Sequence, residues 1–367
     1  MTAVCLLLLL PATVAAGYYV LLTLIGLKAR RPSPSAAPVH TFTVLIPAHD
    51  EEAGLPCTLR SVASADYPPE LLRVLVVADN CTDRTAQVAA EHGAGVLVRE
   101  DSEHRGKGYA LAFGMERLLE PTDAVFVLDA DCEVSPGLFR RLDQHLTGGA
   151  EVVQARVRSR NAAVGPTGYL AAVGAEVDHA VAVGLDRLGC GVPLRGTGML
   201  FARRVLERLP WATTGLAEDA EYAAGLHRAG VRVRLADEAV LCDAPDTAGG
   251  LSAQRRRWRA ALRVPGGWLS RLFTSKPLVL IQLTLAAVAV AVAGSWWLAG
   301  WLGVLVVGTG WVYLRAVRRV GRTPGRWRWV WVLPALVAWL GWIALEGLWK
   351  REKSWRRTER PTRRPKA

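Results

Sequence analysis

The sequence predicts an α/β domain with a mostly parallel sheet, flanked by transmembrane helices. Three observations carry this prediction. Between Thr41 and Asp131, short apolar runs alternate with helix-patterned segments, as in successive β-α-β units. Apolar stretches toward both ends of the chain are long enough to cross a bilayer. Finally, 51% hydrophobic residues coexist with a formal net charge of +12. That pairing is explained if the apolar residues form spans and the positive charge lies at their cytoplasmic ends.

Taken in order, Ala3 to Leu27 is apolar and nearly free of charge, and Lys28, Arg30 and Arg31 follow at once. No positive residue opens the run, so it reads as an anchor rather than a signal peptide, with the next domain in the cytoplasm. Pro32 to Pro38 is a Pro/Ser/Ala linker. TFTVLIP, RVLVVADN, GVLVRE and AVFVLDAD then read as four strands, separated by helices over Glu51–Ala65, Thr82–His92 and Gly108–Leu119. Thr82 or Asp83 would cap the second of these helices, and Ser135-Pro136 reads as a helix start. Beyond Ala150, EVVQARVRSR and VRVRLADEAVL are strand-like. Tyr169–Arg187, GMLFARRVLERL and EDAEYAAGLHRAG are helix-like, the second starting as a strand.

Leu278 to Leu314 is too long for one span of roughly 20 residues, and Trp329–Leu348 is a further candidate with tryptophans near its ends. Three full passes would put the basic tail outside, so one C-terminal segment is expected to lie in the interface. The expected organisation is an anchor over 1–28, a linker over 29–40, a cytoplasmic domain over 41–265, transmembrane or interfacial helices over 266–349, and a basic cytoplasmic tail over 350–367. The basic residues cluster beside the spans and in the tail, which favours anionic lipid headgroups over nucleic acid. The six cysteines are scattered without a CxxC pair, so neither a zinc site nor a disulfide framework is expected.

The residues that can carry chemistry sit at predicted strand ends or helix starts. Asp129 and Asp131 are one residue apart after a buried strand, where open α/β sheets bind ligands, and both can face one hard divalent cation. IPAHDEE supplies Pro47, His49, Asp50, Glu51 and Glu52; as structure alone, its acids would suit the first turn of a helix. Asp79 and Asn80 end the second strand, either contacting a base or ribose or forming an Asx-turn. Lys107 lies between glycines that let its ammonium approach a phosphate, although no Walker A loop or dinucleotide fingerprint is present. Gly196, Thr197 and Gly198 form a turn that a substrate could approach, and Glu218 and Asp219 open a helix. Gln254, Arg257 and Trp258 share a helix face suited to a diphosphate and a sugar ring, or to a juxtamembrane basic helix.

Five of these motifs, Asp79, the D-x-D pair, the ED pair and Q-x-x-R-W together with IPAHDEE and ADNCTDRTA, occur in an order that resembles membrane-bound family 2 glycosyltransferases. That group includes cellulose, hyaluronan and poly-N-acetylglucosamine synthases and ceramide glucosyltransferases. The resemblance covers roughly Phe42 to Trp258, and KSWRRTER in the tail is similar to the ends of some poly-N-acetylglucosamine synthase relatives. It implies a GT-A type nucleotide-sugar-binding domain. Asp79 would contact uridine, Pro47, His49 and Glu51 would line the nucleotide pocket, and Lys107 would also reach the nucleotide. Asp129 and Asp131 would hold a diphosphate through Mg²⁺ or Mn²⁺, with Asp131 the direct ligand. Gly196, Thr197 and Gly198 would neighbour the acceptor. Asp219, beside Glu218, would be the general base. Gln254, Arg257 and Trp258 would hold the diphosphate and border the acceptor channel.

The activity so implied is inverting transfer from a UDP-sugar, of the UDP-glucose or UDP-N-acetylglucosamine class, to a lipid or glycan hydroxyl at the cell membrane. A processive polysaccharide synthase subunit is the alternative within the family, and an inactive nucleotide-binding scaffold the alternative outside it. A homo-oligomer or an accessory subunit would be further partners. Two positions depart from the usual pattern: Asp50 where Asn is commoner, and Ala217 where Thr or Gly precedes the ED pair.

Overall fold

The computed structural model describes residues 2–27, 37–118, 121–258 and 276–321, with isolated positions between 329 and 342. In chain order the strands are β1 (Phe42–Ala48), β2 (Leu72–Asp79), β3 (Gly95–Arg99), β4 (Ala124–Val127), β5 (Glu133–Val134), β6 (Val152–Ser159), β7 (Met199–Ala202) and β8 (Val233–Cys242). The helices are α1 (Thr2–Ile25), α2 (Leu55–Ala63), α3 (Thr85–Glu91), α4 (Lys107–Glu116), α5 (Leu138–Thr147), α6 (Pro166–Arg187), α7 (Arg203–Arg208), α8 (Glu218–Arg228), α9 (Ala248–Trp258), α10 (Lys276–Ala293) and α11 (Trp296–Val320). The chain forms two compact units. Of the described residues, one unit comprises 37–118, 121–160 and 189–243; the other comprises 2–27, 161–188, 244–258 and 276–321.

The first unit is organised by an eight-stranded mixed sheet in the order β3-β2-β1-β4-β7-β6-β8-β5. Its first four strands are the four read from sequence, and all three pairings among them are parallel. β1 is central and buried nearly throughout, which is why it reads as an apolar run rather than an alternating one. Connections from β1 run first toward β2 and β3, and β4 then returns to the other side of β1. A crevice opens at the carboxyl ends of strands where winding reverses in this way, between β1 and β4. Phe42, Phe126, Phe139 and Tyr67 pack together beneath the sheet. The segment entering β1 is tied to this core by Asp143, which accepts from the Val39 and His40 amides at 3.1 and 2.9 Å and from the Tyr67 hydroxyl at 3.0 Å.

The structure differs from the sequence reading in several local features, each with a cause. The first interstrand helix begins at Leu55, not Glu51, because Asp50 has a left-handed backbone (φ 52°) that stops a helix from starting there. The IPAHDEE acids therefore form a strand-to-helix turn instead of a first helical turn. α3 begins at Thr85, whose amide donates to Asp83 at 2.9 Å, so Asp83 supports that start from two residues upstream. GMLFARRVLERL splits into β7 and α7 at Ala202, the last extended residue of the strand and the residue that precedes the first turn of α7. The scattered cysteines also require a correction. Cys132 and Cys242 form a disulfide across 110 residues. The antiparallel register of β5 and β8 pairs Glu133 with Leu241, and the next step along that register sets Cys132 opposite Cys242. Such pairing is invisible in cysteine spacing.

The second unit is helical. Tyr169, Val173, Val177 and Val181, one stripe of α6, pack with Leu9, Ala16 and Leu22 of α1 and with apolar residues of α10 and α11. α6 crosses α1 closely: a β-carbon at Gly184 would overlap the Leu22 carbonyl. The long apolar stretch after Leu278 is divided by Gly294 (φ 63°) into α10 and α11. By length and composition, Trp296–Val320 is long and apolar enough to cross a membrane, while Leu9–Ile25 and Leu278–Ala293 are apolar but shorter. Large apolar side chains point outward from these helices, among them Leu10, Val292, Trp296 and Val307. The candidate span Trp329–Leu348, apart from isolated positions, and the basic tail lie outside the described residues.

Candidate functional site

The site is built at the carboxyl ends of β1, β2 and β4, closed on one side by β7. β4 ends in an apolar backbone whose Leu128 amide still donates to Leu45 of β1. The chain then delivers Asp129 and the buried Asp131. β7 runs antiparallel to β4 with Val127 opposite Met199, so the same register sets Asp129 opposite Thr197. The Asp129 amide donates to the Thr197 hydroxyl at 3.0 Å, and the Gly198 amide to the Val127 carbonyl at 2.9 Å. Gly196 (φ 78°) and Gly198 (φ 67°) give this turn a left-handed backbone that residues with side chains rarely adopt.

Lys107 opens α4, after Gly106, and its ammonium is ion-paired with Asp129 and donates to the Gly196 carbonyl at 2.5 Å. Burial works against its charge, but Asp129, Glu218 and Asp219 outweigh burial and raise its pKa. One ammonium thus sits among three carboxylates from two motifs, Asp129 lying 22 residues further along the chain and Glu218 111 residues. Glu218 is buried at the first position of α8, and burial pushes its pKa up to about 7 although Lys107 pulls the other way. Asp219, the next residue, accepts its neighbour Ala220's amide at 2.8 Å. A β-carbon at Gly196 would fall 3.6 Å from Asp219 Oδ2 and 3.7 Å from Lys107 Nζ, so glycine leaves the space between them open. Gly108 has the same function toward the loop before α8, where a β-carbon would come within 2.5 Å of the Thr213 carbonyl.

The β1 and β2 ends form the other half. Asp79 is buried and accepts from Arg99 at 2.6 Å and from Asn80 at 2.9 Å. Arg99 also donates to Asp101 at 2.8 Å and lies 5.7 Å from the Tyr109 ring centre. His49 Nδ1 donates to the Asp79 carbonyl at 2.7 Å. Asp50 accepts from the Thr82 amide at 2.6 Å; burial opposes its ionisation, but the Thr82 hydrogen bonds hold its pKa below the usual carboxylate range. The Glu51 amide donates to the Thr85 hydroxyl at 2.8 Å. α2 reaches the D-x-D turn through Thr58, whose hydroxyl donates to the Ala130 carbonyl at 2.7 Å.

Of the residues expected from sequence, Lys107, Asp129, Gly196, Thr197, Gly198, Glu218 and Asp219 come together directly. Pro47, His49, Glu51 and Asp79 line the adjoining β1–β2 end, and Asp131 lies two residues on from Asp129 with its carboxylate beside that of Asp129. Gln254, Arg257 and Trp258 belong to α9 of the helical unit, and the side chains of Arg257 and Trp258 lie outside the described residues. Two residues were missed. Arg99 ends β3 directly opposite Asp79 in the parallel register, and a basic residue closing an apolar run beside an acidic one was the available signal. Gln154 is buried in β6 and donates to the Thr197 carbonyl at 2.9 Å while accepting the Arg195 amide at 2.9 Å. It fixes the glycine turn, and an amide inside the run EVVQARV was its signal.

Asp129 and Asp131, with the neighbouring Cys132 sulfur, bring ligand atoms within 4.8 Å of one another. With that sulfur committed to a disulfide, the donors are carboxylate oxygens, which suit a hard divalent cation. The oxygens of Asp50 and Asp83 also lie close together, but they accept backbone and hydroxyl hydrogens of their own loops.

The family model described as "Glycosyltransferase like family 2" matches residues 38–261. An uncharacterized glycosyltransferase of Mycobacterium bovis is 39% identical over 116 residues, 32% of this chain and 48% of that protein. Beta-monoglucosyldiacylglycerol synthase of Synechocystis is 29% identical over 237 residues, 61% of this chain and 48% of that protein. The chain therefore spans about half the length of these curated relatives. A mannosyltransferase from Pyrobaculum calidifontis, solved in complex with GDP-Man and Mn²⁺, superposes with a TM-score of 0.60 at 20% identity, covering 95% of this chain and 99% of that one. At that identity the likeness is one of fold.

Proposed function

The chain belongs to family 2 of the glycosyltransferases and has a GT-A-like fold, and from that premise we propose that it transfers a hexose from a UDP-sugar to a lipid or glycan hydroxyl at the membrane, with inversion. The observation that carries this reading is the meeting of Lys107, Asp129, Glu218 and Asp219 around the Gly196–Gly198 turn. A sugar nucleotide leaves negative charge on its departing diphosphate, and an acceptor hydroxyl must lose a proton. This cluster offers one fixed cation for the first task and carboxylates for the second.

In this reading Asp79, oriented by its ion pair with Arg99, accepts the uracil N–H, while Pro47, His49 and Glu51 line the nucleotide. Asp131, with Asp129, would hold Mg²⁺ or Mn²⁺, and such a cation supplies charge neutralisation at the diphosphate when bound. Lys107 stabilises the leaving diphosphate. Asp219 takes the acceptor proton, an effect typically worth about 10²–10⁴ in rate. A single base without a covalent intermediate gives one displacement and inversion. Gly196, Thr197 and Gly198 leave room for the acceptor, and Gln254, Arg257 and Trp258 are assigned to diphosphate and acceptor by motif. The apolar helices are assigned to a multi-pass anchor that keeps this domain on the cytoplasmic side of the cell membrane. The outward Leu10, Val292 and Trp296 support that assignment, since lipid rather than water would cover them.

The test is mass analysis of products from membranes carrying the protein, supplied with UDP-glucose or UDP-N-acetylglucosamine and Mn²⁺. The expected result is a lipid-extractable product heavier by one hexose or N-acetylhexosamine. Nucleotide binding without turnover of any sugar nucleotide would overturn the reading in favour of a silent scaffold.

Glu218 makes donor binding sensitive to pH. Its pKa is raised to about 7, so it is mostly neutral below that pH and an added negative charge above it. The diphosphate of a sugar nucleotide has no group titrating there, so donor affinity should fall as pH rises from 6 to 8. One unit of coupling between the two charges corresponds to about tenfold. Calorimetric titration with the donor should show this fall in the wild type and a flat profile in Glu218→Gln.

A further inference from the structure

Cys132 follows Asp131 directly, and its partner Cys242 closes β8. The Cys132 sulfur sits against the D-x-D turn, 3.7 Å from Asp131 Oδ1. The neighbours on each side are joined as well. Arg160 ion-pairs with Glu133, the residue after Cys132, and binds both oxygens of Asp243, the residue after Cys242, at 3.1 and 2.5 Å. Further along, β5 pairs with β8, and the Ser135 amide donates to the Ala239 carbonyl at 2.8 Å. The loop is thus fixed to β8 from Glu133 onward by bonds that do not depend on cysteine. On the downstream side of Asp131 the Cys132 bridge extends this fixation to β8 by one residue, while on the upstream side the Thr58 hydroxyl holds the Ala130 carbonyl at 2.7 Å.

We propose that the Cys132–Cys242 bridge is a positioning element for Asp131, so that cation affinity at the D-x-D turn follows the redox state of this cysteine pair. This rests on the reading of Asp131 as a cation ligand. With the bridge closed, Asp131 hangs from a backbone anchored at the next residue. With it open, Thr58 still holds the Ala130 carbonyl upstream, but the nearest side-chain anchor downstream recedes to Glu133, and a carboxylate that must meet a cation within a few tenths of an ångström gains freedom. Opening is a thiol–disulfide exchange. A dithiol reductant attacks one sulfur, its second thiol resolves the mixed disulfide, and two electrons and two protons pass to Cys132 and Cys242 as the reductant becomes a disulfide. A bridge in a domain expected to face the reducing cytoplasm belongs to the class of disulfides that open and close in use.

The experiment uses the full chain in detergent micelles with Mn²⁺ alone, free Mn²⁺ being followed by electron paramagnetic resonance. Thiol counting under denaturation should give four alkylated cysteines before dithiol treatment, corresponding to Cys5, Cys57, Cys81 and Cys190, and all six after it. Mn²⁺ affinity should be about tenfold weaker in the reduced protein, the low end of what loss of outer-shell support costs a metal site. Reoxidation should restore it, and Cys132→Ser/Cys242→Ser should hold the weaker value in either buffer. UDP binding without Mn²⁺ should not move, which a general loosening of the fold would not spare. Six reactive thiols in the oxidised protein, or equal Mn²⁺ affinity in both states, would overturn the inference. Asp131→Asn separates it from its premise. If that variant binds Mn²⁺ like the wild type, the cation-ligand reading itself fails. If it loses Mn²⁺ while redox state has no effect, the bridge inference fails alone.

Discussion

Asp219→Asn should reduce sugar transfer by about 10²–10⁴ while UDP-sugar binding stays within about threefold of wild type, because the loss is confined to proton transfer. The side chain keeps its shape and its bond from the Ala220 amide, but an amide cannot take up the acceptor proton. The choice of Asp219 over Glu218 follows from their surroundings. Both open α8, where the helix dipole favours negative charge. Glu218 is turned into the protein, and burial raises its pKa to about 7; Asp219 flanks the gap left by Gly196. A buried acid with a raised pKa beside a carboxylate at the open gap gives one site both a neutral partner and a base. Turnover at saturating donor and acceptor, paired with calorimetric titration of UDP, tests the assignment. Wild-type turnover in the variant would reassign the base.

The sequence made the four-stranded parallel half of the sheet legible because buried parallel strands are continuous apolar runs, and TFTVLIP and AVFVLDAD have no other good reading. The acids at their ends were legible for the same reason: a carboxylate after such a run has left the core. What could not be read depends on pairing between distant strands. That the Thr197 hydroxyl would accept the Asp129 amide depends on β7 running antiparallel to β4, and nothing in LRGTGML fixes that direction. The Arg99–Asp79 pair and the Cys132–Cys242 bridge are likewise consequences of register. α6 shows a different limit. Its helical pattern is plain, but its grouping with α1, α10 and α11 rather than with the sheet comes from the close crossing at Gly184, which periodicity does not encode.

Lys107→Met should lower transfer by about 10²–10³, the loss typical of removing one fixed donor aimed at developing charge. Met keeps the length and apolar stem of lysine but removes the ammonium that faces Asp129 and the Gly196 carbonyl. Two effects have to be separated. The first is the lost stabilisation of the departing diphosphate, which lowers kcat. The second is electrostatic: Asp129, Glu218 and Asp219 lose the cation that now balances them. Because Lys107 currently pulls the Glu218 pKa down against burial, its removal must raise that pKa further. The fall in donor affinity expected near pH 7 in the wild type should then move to higher pH in Lys107→Met, and vanish in Lys107→Met/Glu218→Gln. A variant that merely unfolded would lose UDP binding at every pH. One that kept an unshifted profile and full turnover would show that the ammonium touches neither the diphosphate nor the acids around it.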